Sequence, residues 1–193
     1  MSDPQTSTGA GLGEGSAPVE HHPLVVGLDL SLTSTGVAHY SAGSLVTESI
    51  PSSGTGIVRL RNLATRVAQM CTGAELVVIE GPAYSSVGGQ SDERSGLWWM
   101  VQDRLWTLSK PVAVITPGTL KAYATNNGNA GKDVMLLAAA RRFPSFDGDN
   151  NAADAAWLAV AGYDYLTGDR HVPKVQRDRL DKVQWPTITR GAA

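Results

Sequence analysis

Three acidic residues stand where an apolar core does not ordinarily keep them. Asp29 closes the run Leu24–Leu30, "LVVGLDL". Glu80 closes "ELVVIEG", and Asp154 lies in "DGDNNAADAAWLAVAGYDYL". A carboxylate beside a sheet core is costly unless something neutralises it. If the two apolar runs are parallel neighbouring strands, Asp29 and Glu80 emerge at one carboxyl edge, where open α/β sheets build their sites. With Asn150 or Asn151 as N-cap, Asp154 falls in the first turn of the last long helix, where it can join them. Three carboxylates with no Lys or Arg in the same motifs repel one another. A hard divalent cation with oxygen ligands relieves that repulsion, and magnesium leaves room for water and phosphate oxygens. Two such ions about 3.5–4 Å apart are the standard device for phosphodiester hydrolysis. Each acid also has a plainer role open to it. Asp29 can cap the Ser31–Thr35 turn, Glu80 can pair with an arginine, and Asp154 can favour a helix start.

The elements that must position these acids follow from periodicity. Leu24–Leu30 reads as a buried strand. Gly36–Tyr40 and Leu45–Ile50 are short β-prone runs separated by the turn Ser41-Ala42-Gly43-Ser44. Val58, Leu60, Leu63, Ala64, Val67, Ala68 and Met70 recur at helical spacing up to Thr72-Gly73. A fourth strand carries Glu80, a helix follows over about Asp92–Leu108, and "PVAVITP" is a fifth strand. Helices are expected over Pro117–Ala124, Lys132–Arg142 and Ala152–Leu166. The order β-β-β-α-β-α-β followed by these helices predicts an α/β fold with a five-stranded mixed sheet. A three-strand antiparallel meander is joined to two parallel strands, with helices on both faces.

Composition bounds the rest. The chain has 193 residues, 42% hydrophobic and 18% charged, which suits one domain. Residues 1–22 are expected to be a disordered leader, 23–167 the folded domain and 168–193 a basic arm. A formal net charge of −2 gives no general argument for nucleic acid. The single Cys71 excludes an intrachain disulfide, and no run is long enough to span a membrane. A soluble cytoplasmic protein is expected. "GNAGKD" fails as a phosphate loop, because Asn126 and Asp133 stand where glycine and Ser or Thr are needed. The four histidines show no zinc spacing, and no Gly-x-Ser-x-Gly elbow occurs.

"GLDLSLTSTGVA", "VVIEGPAY", "ITPGTLKAYATNNGNAGKDVM" and "NNAADAAWLA", in that order, resemble the RuvC-like Holliday-junction resolvases of the ribonuclease H-like superfamily. The likeness spans about Leu24 to Leu166. It implies a ribonuclease H-like fold and metal-dependent symmetric nicking of four-way DNA junctions by a homodimer. Magnesium is the implied cofactor, with manganese able to substitute. The resemblance makes Asp29, Glu80 and Asp154 the metal-binding and catalytic acids. It places Lys121 and Lys132 near the scissile phosphate, Lys132 as a catalytic residue. Tyr84 corresponds, with a shifted loop, to an aromatic that stacks on a base at the branch point. Where the family carries a further acid or histidine three residues before the last acid, this chain has Asn151. Its amide oxygen can ligate a metal without adding charge, and Asp149 is near enough to stand in.

Three tryptophans in "RSGLWWMVQDRLWTL" exceed what one buried helix face holds. At least one should leave the core, and aromatic residues favour interface centres. Two other readings share these motifs. A ribonuclease H-type or ribosomal-RNA-processing nuclease would use the same metal logic. A non-catalytic junction-binding protein would keep the fold with a weakened site at Asn151. Actin-like kinases share the first hairpin but need two such domains.

Overall fold

A computed structural model describes residues 21–82 and 90–188. Five strands form one sheet: β1 (Val25–Asp29), β2 (Ser34–Ser41), β3 (Ser44–Pro51), β4 (Leu76–Glu80) and β5 (Val112–Ile115). Their order across the sheet is β3-β2-β1-β4-β5. β1 and β2 pair antiparallel, as do β2 and β3, whereas β1, β4 and β5 run parallel. The expected mixed sheet is therefore present, with each strand within two residues of its expected limits.

Strand alternation divides the core in two. Val26, Leu28, Val77 and Ile79 face α1 (Gly56–Met70) and α2 (Ser91–Thr107). Val25, Leu76, Val78 and Ile115 face the other side. There the sheet meets α3 (Pro117–Thr125), α4 (Lys132–Arg142) and α5 (Asn150–Thr167). By the same alternation Asp29 and Glu80 fall on the α5 face. The register pairs Leu28 with Ile79, so the two acids are adjacent, one position further on.

Helix α5 is buried almost all round, as a central helix must be. It sits unusually close to the sheet. A β-carbon on Gly27 would lie 2.0 Å from the Ala155 backbone oxygen, and at Gly162 it would lie 2.6 Å from a Val78 methyl. Glycine in the sheet and alanine on the helix thus set the distance between the two layers.

One local expectation is corrected. The N-cap of α5 is Asp149, whose side chain accepts from the Ala152 amide at 2.9 Å; it is neither Asn150 nor Asn151. Both asparagines are helical, so Asp154 lies in the second turn. The chain after α5, expected as a basic arm, contains regular structure. A short helix α6 (Lys174–Arg177) and a 3-10 turn (Asp178–Lys182) pack on α3, and Gln176 Nε2 donates to the Tyr123 carbonyl at 2.8 Å. Among the described residues no helix is long and apolar enough to cross a membrane.

Candidate functional site

The parallel pair β1/β4 delivers Asp29 and Glu80 side by side, and their carboxyl groups are hydrogen-bonded to each other. Close docking of α5 brings Asp154 to them from above. Lys121, from α3, and Lys132, the first residue of α4, supply positive charge within electrostatic reach of Asp154. Four of the expected residues thus gather around Asp154, although the five are spread from position 29 to position 154.

Burial dominates the electrostatics. It pushes the Asp29 carboxyl up to about 7, with the Asp154 charge adding and the Glu80 hydrogen bond and Lys132 opposing. Glu80 rises to about 8, by burial and then by the charges of Asp29 and Asp154. Asp154 rises to about 6, again by burial, with Lys121 and Lys132 holding it down. The two carboxyls interact directly, so the pair titrates as a unit.

A second buried acid shows what this cluster lacks. Asp164, ten residues further along α5, accepts from the Tyr123 hydroxyl at 2.7 Å and pairs with His171. Its oxygens are satisfied by protein. Asp154 Oδ1 is buried and has no hydrogen-bond partner among the described residues. A buried carboxylate oxygen without a partner is costly and points to a missing cation or water. Among the described residues no three His, Cys, Asp or Glu side chains stand as a ready-made metal cage. The donors nevertheless suit a hard ion: all are carboxylate oxygens, and a cation there would relieve both the repulsion and the orphaned oxygen.

Asn151 turns its Nδ2 to the Ser34 carbonyl at 2.7 Å, tying the start of α5 to β2. Asp149 is engaged as the helix cap, with the Ser49 hydroxyl 3.4 Å from its carboxylate. Tyr84 lies outside the described residues.

The acids open into a cavity of about 830 Å³. Asp29 and Glu80 form one end, and Arg94, Trp98 and Trp99 of α2 form a wall. Trp98 Nε1 donates to the Glu80 carbonyl at 3.2 Å, fixing α2 to the carboxyl end of β4. The sequence places at least one of the tryptophans outside the core but does not reveal this contact. Nothing local to either segment pairs residue 98 with residue 80.

This sheet order, with acids at the carboxyl ends of β1 and β4 and a central helix carrying a third, is a five-stranded mixed α/β fold. Solved structures share that fold. Thermus thermophilus RuvC in complex with a Holliday junction substrate matches at TM-score 0.63 and 19% identity, over 76% of this chain and 97% of that one. RuvC from the same organism in another structure gives TM-score 0.60 and 19% identity, covering 75% and 96%. The yeast mitochondrial Holliday junction resolvase Ydc2 gives TM-score 0.51 and 13% identity, covering 85% and 82%. At these identities the likeness is one of fold. By sequence, the chain matches no protein-family model and no curated protein.

Proposed function

We propose that this chain is a structure-selective DNA endonuclease that resolves Holliday junctions by paired symmetric nicks, with magnesium as cofactor. The observation that supports this best is the convergence of Asp29, Glu80 and Asp154 at one open edge of the sheet, with Lys121 and Lys132 beside them. The likeness to a RuvC whose structure contains a Holliday junction directs the substrate class.

Asp29, Glu80 and Asp154 would supply the oxygen ligands of the divalent ion. The Asn151 amide oxygen or the Asp149 carboxylate would complete the set. Once bound, the ion supplies two things: a more acidic water and neutralised phosphate charge. Water attacks phosphorus in line and the P–O3′ bond breaks, leaving 5′-phosphate and 3′-hydroxyl ends. Lys132, exposed at the start of α4, offsets charge developing on the phosphate. Lys121, half-buried on α3, holds the flanking backbone. Symmetric nicking needs two sites on opposed strands, which a homodimer supplies. Trp106 of α2, 83% exposed, offers apolar surface for that contact. The buried, unpaired Cys71 fits a reducing cytoplasm.

The test is a substrate panel. Purified protein is incubated with end-labelled four-way junction, fork, linear duplex and RNA–DNA hybrid, with magnesium and with chelator. Paired nicks confined to the junction and abolished by chelator support the proposal. Cutting of the hybrid instead moves the protein to a ribonuclease of the same fold. Junction binding without cutting makes it a binding protein.

A further inference from the structure

Strand register places Asp29 and Glu80, but Lys121 stands on a helix outside the sheet and needs another means of placement. Its helix, α3, has nine residues, too few to be held by propensity alone. The first turn of α3 follows β5 directly, with Thr116 as N-cap. Along its length α3 packs on α4, α5 and the arm, residues 169–188. The arm lies beyond Leu24–Leu166, the stretch over which the sequence resembles the family. It is anchored to the rest of the fold independently of α3. His171 pairs with Asp164 of α5, and its Nε2 lies 2.7 Å from the Tyr40 hydroxyl of β2. The His171 carbonyl accepts from Arg142 Nε of α4 at 3.1 Å. Val172 and Leu180 are buried in the core on that side, and Trp185 stacks on Tyr165 of α5 with ring centroids 4.4 Å apart. From this base Gln176 Nε2 donates to the Tyr123 carbonyl at 2.8 Å.

Resting on the nuclease reading above, we infer that the arm braces the active site and that Gln176 is a positioning residue for Lys121. The Tyr123 carbonyl lies in the last turn of α3, where backbone oxygens have no partner inside the helix. Gln176 supplies that partner. The Tyr123 hydroxyl donates to Asp164 at 2.7 Å, so this residue is held at both its side chain and its backbone. Lys121 stands two residues away, about 3 Å along the helix axis. A short helix fixed at its start by β5 and at its end by the arm has little freedom to tilt. Tilt matters here, because a displacement of about 1 Å in a group that positions substrate can cost about 10²-fold in rate. Gln176 does not border the cavity beside the acids, so its effect on cleavage must travel through α3.

The experiment compares the full chain with Gln176→Ala and with Gln176→Met, which fills the space without a donor. Amide hydrogen exchange, read by mass spectrometry, should quicken roughly 2- to 10-fold across residues 117–125 in both variants and stay unchanged in β1 and β4. Single-turnover cleavage of a four-way junction with magnesium should fall by a similar factor. With Asp29→Asn added to suppress cutting, the slope of log junction affinity against log salt should become shallower by up to about one, as a phosphate contact is lost. The decisive arm repeats Gln176→Ala in a Lys121→Ala background, where cleavage should fall no further. A merely structural role would give the same loss in both backgrounds. Unchanged exchange in α3, or a loss that adds to that of Lys121→Ala, would overturn the inference and leave the nuclease reading standing. A parent protein that neither binds nor cuts branched DNA would sink the nuclease reading and the positioning role with it, a result distinct from either.

Discussion

The backbone oxygen of Asn151 lies 2.2 Å from where a β-carbon on Gly36 would stand. Gly36 is the register partner of Asp29, so the point at which α5 touches the sheet lies directly beside the first acid. With Gly27 one pleat back, two glycines let the helix carrying Asp154 approach close enough to join the cluster.

Gly36→Ala and Gly27→Ala should therefore push α5 off the sheet rather than merely crowd a side chain, because the obstructing atoms are backbone. A loss of about 3 kcal/mol is expected from urea unfolding, at the upper end of overpacking costs. Cleavage should fall with it, since Asp154 moves away. Wild-type stability in either variant would contradict the close-docking account.

That contact was not legible in the sequence, whereas Asp29 and Glu80 were. An acid at the end of an apolar strand is visible in one line of residues, and strand alternation fixes its face. Gly27 and Gly36 read as ordinary strand glycines, because the partner that needs them lies more than a hundred residues away. The start of α5 was misplaced for a related reason. Asp149, Asn150 and Asn151 are all good caps, and choosing among them depended on the Asn151 contact with the Ser34 carbonyl. The role of Trp98 at Glu80 was hidden in the same way.

Asn151 distinguishes structure from ligation. Asn151→Ala should cost about 1 kcal/mol by removing the hydrogen bond to Ser34. Asn151→Asp should not recover that stability in metal-free protein, since a carboxylate facing a carbonyl oxygen repels it. If Asn151→Asp instead raises both magnesium affinity and cleavage, the position is a ligand first and a staple second. Thermal melts with and without magnesium separate the two.

Protonation gives a further test. All three acids have folded values raised above their ordinary ones, Asp29 to about 7, Glu80 to about 8 and Asp154 to about 6. The folded state then binds more protons than the unfolded one between about pH 4 and 8. Their contribution is fully present below the unfolded values and is lost as pH rises through the folded ones. In chelator, stability should fall from pH 5 to pH 8, and less steeply in Asp29→Asn. Magnesium should restore stability most at the upper end. Parallel pH profiles for the two proteins would contradict the raised value of Asp29.

Lys132 should matter to rate more than to affinity. Lys132→Ala is expected to lower single-turnover cleavage by about 10²-fold while junction binding changes only severalfold, with Lys132→Arg recovering part of the rate. An equal loss in binding and rate would make it a backbone contact only.

Asp29, Glu80 and Asp154 are proposed to form a metal-dependent nicking site. The most direct test is single-turnover cleavage of a four-way junction labelled on each strand in turn, with magnesium, for the parent protein and Asp29→Asn. The account predicts paired nicks at symmetry-related positions from the parent, at least about 10²-fold slower in Asp29→Asn, whose junction affinity is retained. Cleavage by Asp29→Asn at the parent rate, or parent cleavage that persists in chelator, would contradict it.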